Sequence, residues 1–215
     1  MPEEIVSHPA VSNRAKKLGY KAQETLLDRS YHHAAMKHLP DSWKRGRPDI
    51  VHFALMETLS TPFFIRGQLD VYVHTYDDRI ISMTAGLRIP KSYFRFEGLM
   101  QALFRQGTVK SDEGATLMEV EKGTLADLAG EVKPGRIVGL SSAGVQSNAE
   151  EVVRKNNSDR CMFVIGGFPK GHYGDGTNAL FNCTYSIEDM GLEAHVVIAR
   201  VLYECEKKFS FSRPA

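Results

Sequence analysis

The residues of this 215-residue chain best suited to chemistry are glycines and cations rather than obvious nucleophiles. In "VIGGFPKGHYGDG", Val164 to Gly176, an apolar run from Cys161 to Ile165 passes straight into glycine. Glycine lets backbone approach a ligand closely, because no Cβ stands in the way. A second such loop, "GLSSAGV" at 139–145, also follows a predicted strand. In open α/β sheets ligands sit beyond the carboxyl ends of strands, which is where both loops fall.

What the loops could bind is narrowed by what they lack. Gly166 and Gly171 have the spacing of a phosphate loop, but His172 and Tyr173 follow where Lys-Ser/Thr belongs, and no helix is predicted immediately after. The dinucleotide pattern GxGxxG occurs nowhere, and GxSxG fails at Ala143. These absences disfavour a nucleotide-binding α/β enzyme. They suit a phosphate-free ligand held by main-chain groups, such as S-adenosylmethionine, with Ser141 or Ser142 within reach at a strand end. The same residues also make ordinary tight turns, and the pattern alone does not separate the two readings.

A second cluster is basic. Residues 88–110 hold Arg88, Lys91, Arg95, Arg105 and Lys110 against one acid, Glu97, with Tyr93, Phe94 and Phe96 among them. Cations interleaved with aromatics suit single-stranded or looped RNA, where phosphates meet charge and bases meet rings. A solvated helix start with its aromatics in the core fits equally well. Lys44, Arg45 and Arg47 form another basic group ahead of "PDIVH".

These side chains must be placed by an α/β framework. Hydrophobic residues make up 42% and charged residues 25%, ordinary for a globular chain, and the net charge of +1 announces no polyanionic partner. No bilayer-length apolar run or secretory leader is evident, and Cys161, Cys183 and Cys205 form no CxxC pair. The expectation is a cytoplasmic protein with reduced, buried thiols and no metal. The pattern predicts a helix over 8–19 and another over "SYHHAAMKHL" with Ser30 as N-cap. A third follows over "IVHFALMETL". A hairpin turns at Asp77-Asp78, and a helix ends at Gly107. From residue 116 strands and helices alternate: "TLMEVEK", "TLADLAGEV", "RIVGLSS", a helix capped by Ser147 and Glu150, "CMFVIGG", "ALFNCTYSI" and a closing helix. The closing helix is expected to bury Leu192, Val196, Ala199, Leu202 and Tyr203 on or near one face. Such alternation predicts a largely parallel sheet covered on both sides.

At this point the chain resembles a known family. "LLDRSYHHAAM", "GRPDIVHFALMETLSTP", "VYVHT", "RIPKSYFRFEGLMQALF", "VIGGFPKG" and "GLEAHVV" are similar, in order, to SPOUT-class methyltransferases of archaeal type that act on N1 of pseudouridine in small-subunit ribosomal RNA. The resemblance implies one α/β-knot domain over 1–215: a parallel central sheet and a C-terminal trefoil knot at about 160–208. An inserted hairpin and helix at about 69–107 would extend the RNA surface. It implies S-adenosyl-L-methionine as cofactor, held by Ser142, Gly166, Gly171, Ser186, Ile187, Glu188, Met190, Gly191 and Leu192. Arg88, Lys91 and Arg95 would grip RNA. Arg47 and Asp49 would stand near the target base, Arg47 contacting RNA and stabilising a uracil anion and Asp49 accepting its proton, or else the two simply bridge to fix their segment. A homodimer, ribosomal RNA and ribosomal assembly proteins are the implied partners, with no membrane. A non-catalytic assembly factor that keeps the knot as a scaffold is the alternative.

Three departures from that family are visible. Lys91 stands where arginine is usual, which keeps the charge and loses the planar fork. "SIEDMGL" lacks a tyrosine–proline pairing. The additional strand expected ahead of "PEEI" is not in this sequence, which begins at Met1.

Overall fold

A computed structural model describes residues 1–156, 158 and 160–211. The N-terminal part is helical and short-ranged. Helix α1, Pro9–Leu18, starts after His8, whose imidazole accepts the Ala10 N–H, and stops at Gly19. Helix α2 is a single turn, Arg29–His32, followed by a 3-10 turn at Ala35–His38, so the expected continuous helix is broken. Its N-cap is Asp28 and not Ser30: the buried Asp28 carboxylate accepts the Ser30 N–H at 2.8 Å. Helix α3, Pro48–Leu59, has proline at its first position, and Ile50, Leu55 and Leu59 point into the core. Helix α4, Pro62–Ile65, turns the chain towards the sheets.

Two sheets follow instead of one. Strands β1 (Val71–His74) and β2 (Arg79–Met83) form the expected hairpin, with Asp78 at φ +52° in its turn. Helix α5, Tyr93–Gln106, precedes β3 (Thr108–Lys110) and β4 (Thr116–Lys122). These four strands form an antiparallel sheet in the order β1-β2-β4-β3. "TLMEVEK" therefore belongs with the hairpin and not with the parallel strands, and the hairpin-and-helix unit runs to Lys122, past the expected 107. The physical reason lies in its alternation. Met118 is buried while Glu121 is exposed, the pattern of a strand with one wet face; "CMFVI" is apolar throughout, as a strand covered on both faces must be.

Helix α6 (Leu125–Val132) then leads to β5 (Arg136–Gln146), α7 (Ala149–Lys155), β6 (Cys161–Ile165), α8 (Asp175–Asn178), β7 (Cys183–Ser186) and α9 (Ala194–Phe211). Among the described residues the parallel sheet has three strands, ordered β6-β5-β7. Helix α7 starts one residue later than expected. Asn148 accepts the Glu151 N–H at 2.8 Å, because Ser147 is still tied to the sheet by its own N–H to the Ser186 carbonyl. On α9 the buried stripe is Ala194, Ile198, Val201, Leu202 and Cys205; Tyr203, expected near it, is exposed. All three cysteines are free, but only Cys205 is fully buried. Among the described residues no helix is long and apolar enough to cross a membrane.

The N-terminal helices are locked to α5 by two polar contacts. Tyr93 donates its hydroxyl to the Asp28 carboxylate. Arg14 donates to Glu97 at 2.7 Å, and the Glu97 side chain is only 2% exposed. Burial pushes the Glu97 carboxyl up, and Arg14 opposes that rise. Arg14→Met should therefore destabilise the fold by about 3–5 kcal/mol at pH 7, since it strands a buried charge. The sign with pH follows. A carboxyl raised in the folded state favours folding below its unfolded value of about 4.3 and loses that advantage as pH rises through the folded value. Urea unfolding of Arg14→Met should thus show a deficit that grows from pH 5 to pH 8; a deficit independent of pH would refute the account.

Candidate active site

The carboxyl ends of β5, β6 and β7 converge on a cavity of about 320 Å³. The turn after β6 contributes Gly166 and Gly171, and Ser142 comes from within β5, which continues as strand to Gln146 where a loop over 139–145 was expected. Ser186, Ile187, Glu188, Met190, Gly191 and Leu192, which leave β7, close the other side. All nine residues expected to contact a cofactor line this one space, although they come from three separated stretches of chain. Within the last stretch, the Ser186 hydroxyl donates to the Glu188 carbonyl at 2.7 Å and tightens the turn. Arg200 on α9 pairs with Glu188 at 2.7 Å and holds its carboxyl below the usual range. Met190 stands exposed at the rim.

Two glycines are needed for reasons of space. A Cβ at Gly171, whose φ is +86°, would lie 2.1 Å from Cζ3 of Trp43. A Cβ at Gly144 would lie 2.5 Å from the Tyr185 carbonyl carbon. The second contact marks where β5 runs against the backbone of β7. Leu140 and Val145 both pair with Tyr185, so the residues between them leave the ladder.

Tyr173 is the cavity residue that sequence reasoning undervalued. Its hydroxyl lies 2.9 Å from both the Leu140 and Val164 carbonyls, so one proton ties the ends of β5 and β6 together. Burial raises its phenol well above the ordinary value. Its ring packs edge-on against Phe168 and Phe181. The available signal was a tyrosine among glycines, since a flexible turn has no use for a large buried ring. His172, treated as a loop residue, lines the cavity with its Nδ1 3.4 Å from the Ser141 hydroxyl.

The second expected group sits at the start of α3. Arg47 grips Asp49 through both forks, Nε at 2.8 Å and 3.1 Å and Nη2 at 2.7 Å. Asp49 is thereby held below the usual carboxylate range, and Arg47 is raised. The pair is a little over one-third exposed, so it is not a buried bridge. Helix α3 reaches the cofactor turn directly: a Cβ at Gly167 would lie 3.8 Å from Val51.

His52, one turn on from Asp49, is buried and stacked on Phe96 with centroids 4.4 Å apart. Its Nε2 is 2.7 Å from the Pro90 carbonyl, which pins the "RIPK" segment to α3. That segment presents Arg88, Lys91 and Arg95 as exposed side chains. Of its aromatics, Phe96 is core, Tyr93 is engaged by Asp28, and Phe94 alone stands out, 66% exposed. The structure thus joins all three expected groups, cavity, Arg47–Asp49 pair and cation triplet, through α3.

Residues 2–206 match the model of the EMG1/NEP1 methyltransferase family. A ribosomal RNA small subunit methyltransferase Nep1 of Saccharolobus solfataricus is 40% identical over 95% of this chain and 90% of its own length. The Nep1 of Staphylothermus marinus is 37% identical over 98% of this chain and 91% of its own. Among solved structures, Archaeoglobus fulgidus Nep1 bound to S-adenosylhomocysteine superposes with a TM-score of 0.84 at 33% identity, covering 97% and 93% of the two chains. The chain belongs to the EMG1/NEP1 methyltransferase family.

Proposed function

We propose that this protein transfers a methyl group from S-adenosylmethionine to N1 of a pseudouridine in small-subunit ribosomal RNA. The observation that carries the reading is the meeting of two glycine-bearing turns, 166–171 and 186–192, with β5 around one cavity. The cavity suits a methyl-charged nucleoside without phosphate. Its turns bring main chain close, its walls include Leu140, Ile165 and Leu192, and nothing in it resembles a phosphate cradle. The bound S-adenosylhomocysteine of the Archaeoglobus relative points the same way.

Bound there, S-adenosylmethionine supplies an electrophilic methyl group on a sulfonium centre. The chain's own residues supply position and charge. Turns 166–173 and 186–192 hold and orient the nucleoside and keep the methyl aimed at the rim. N1 of pseudouridine must give up its proton, to water in this reading, before it takes the methyl, and Arg47 would stabilise the anionic ring in between. Asp49, already accepting three hydrogen bonds, is a weak base; we assign it to hold the guanidinium plane. Arg88, Lys91 and Arg95 take phosphates, and the exposed Phe94 ring offers a stacking surface for a base turned out of its loop.

The knot is part of the same proposal. Double pairing of Tyr185 with Leu140 and Val145 supports a passage of the C-terminal chain through the loop of β5. A homodimer is proposed through the α3–α9 face, where Phe53 packs on His195 and remains 57% exposed, and where Tyr203 lies two turns further along α9. Light scattering should then report twice the chain mass of 24.0 kDa; a monomer at micromolar concentration removes this part.

The direct test is incubation with methyl-labelled cofactor and a pseudouridine-containing RNA hairpin, with the uridine hairpin as control. Label should enter the first and not the second. Equal labelling defeats the base assignment, and no labelling of either, with cofactor bound, defeats the enzymatic one.

A further inference from the structure

The segment between the 3-10 turn and α3, residues 41–47, touches more than it needs to for a connection. Trp43, the chain's sole tryptophan, lays its ring on Gly171, a residue of the cavity wall. Its neighbour Lys44 places its ammonium 5.3 Å from the ring centre of Phe168, also in that wall. On the other flank, Arg45 lies 4.3 Å over the ring of Tyr76 at the tip of the β1–β2 hairpin. The Tyr76 hydroxyl donates to Asp41 at 3.0 Å. The segment ends at Arg47. Seven residues therefore connect the cofactor turn, the hairpin tip and the arginine paired with Asp49.

We infer that residues 41–47 form a strap that couples cofactor binding to RNA binding, with Trp43 as the positioning residue through which the coupling passes. The inference rests on the proposed reading of the cavity as the S-adenosylmethionine site. Gly171 both lines the cavity and lies against the indole. A ligand that settles turn 166–173 settles the seat of Trp43, and the indole holds the backbone that carries Arg47. Coupling of this kind requires only that the ligand favour one arrangement of the strap over others. It must also be reciprocal, so RNA should tighten cofactor binding by the same factor.

The lone tryptophan makes the test clean. Titration of the full chain with S-adenosylhomocysteine should shift the Trp43 emission, saturating with the calorimetric binding curve. Affinity for a pseudouridine-containing hairpin should then rise about tenfold at saturating S-adenosylhomocysteine, within the usual range of such couplings. Trp43→Ala should bring that ratio to about one while calorimetry still reports S-adenosylhomocysteine bound, and Trp43→Phe should retain most of it. Unchanged emission despite calorimetric binding overturns the inference, as does equal hairpin affinity with and without S-adenosylhomocysteine in the unaltered chain. So does an undiminished ratio in Trp43→Ala. Those two measurements on the unaltered chain decide even if Trp43→Ala does not fold. Absence of calorimetric binding overturns the cavity assignment itself and the strap with it, a separate failure read on a separate instrument.

Discussion

Gly144→Ala is expected to cost more than about 4 kcal/mol of stability and to abolish cofactor binding, although it adds a single methyl group. The usual expectation has the opposite sign. Where the backbone conformation is compatible, Gly→Ala stabilises by about 0.4–1 kcal/mol, because it narrows the unfolded ensemble. Gly144 has no positive φ that would oppose alanine. The obstacle is purely one of space: the new Cβ would lie 2.5 Å and 2.6 Å from the Tyr185 carbonyl carbon and nitrogen, and 2.7 Å from the Thr184 carbonyl carbon. These are main-chain atoms of β7, and no rotamer change relieves them. To make room, β5 and β7 must separate, and that separation opens the cavity that Ser142 and Ser186 both line. Gly130→Ala, at an exposed position of α6 with nothing within 4 Å of the new methyl, is the matched control. It should stabilise by about 0.5–1 kcal/mol through helix propensity. Urea melts and S-adenosylhomocysteine calorimetry on the two variants should diverge in sign. A Gly144→Ala protein as stable as the parent would mean that the two strands do not run together as described.

That contact also shows what a linear reading can and cannot reach. The turn after β6 is legible because a strand and its terminal glycines are neighbours in sequence, whereas the loop expected at 139–145 is strand, because β5 runs on to Gln146. The residue pressing on Gly144 lies about forty positions away, and nothing local to "SSAGV" names Tyr185. Trp43 on Gly171 is a longer leap still. Arg47 and Asp49 are two residues apart at a helix start, so their pairing is within reach of local geometry; their position beside the cofactor turn is not. "TLMEVEK" failed in another way. Its alternation is that of an antiparallel, half-wet strand, and the strand–helix–strand rhythm that begins after it masks that signal. Ser30 and Ser147 lost their capping roles to Asp28 and Asn148, better acceptors one or two residues away, whose advantage depended on contacts with Tyr93 and on the tether from Ser186. His52 behaved as its apolar setting implied, a core histidine whose one polar contact holds the RNA-facing segment in place.

The Arg47–Asp49 pair carries the other large effect. Because both side chains are more than one-third exposed, their mutual attraction contributes little to stability, typically under about 1 kcal/mol, so variants there should fold. Activity is another matter. On the proposed reading Arg47→Ala removes the cation assigned to meet charge on the base, and a lost donor of that kind costs about 10²–10³ in kcat. Asp49→Asn keeps an oxygen that can accept from Arg47 and loses the charge. If Asp49 positions the guanidinium, kcat should fall by about tenfold or less, with the shape of the pH–rate profile unchanged. Asp49 is held below its usual range, so it stays ionised as pH falls to the mid-acid region, and no activity limb near neutrality belongs to it. An obligatory proton acceptor would behave differently. Its loss would cost about 10²–10⁴ and would remove the acid limb of the profile. Methyl transfer to the pseudouridine hairpin across pH 5 to 9, with dimer mass and S-adenosylhomocysteine affinity as folding controls, distinguishes the two. A larger deficit in Asp49→Asn than in Arg47→Ala would reverse the assignment and make the carboxylate the chemical group.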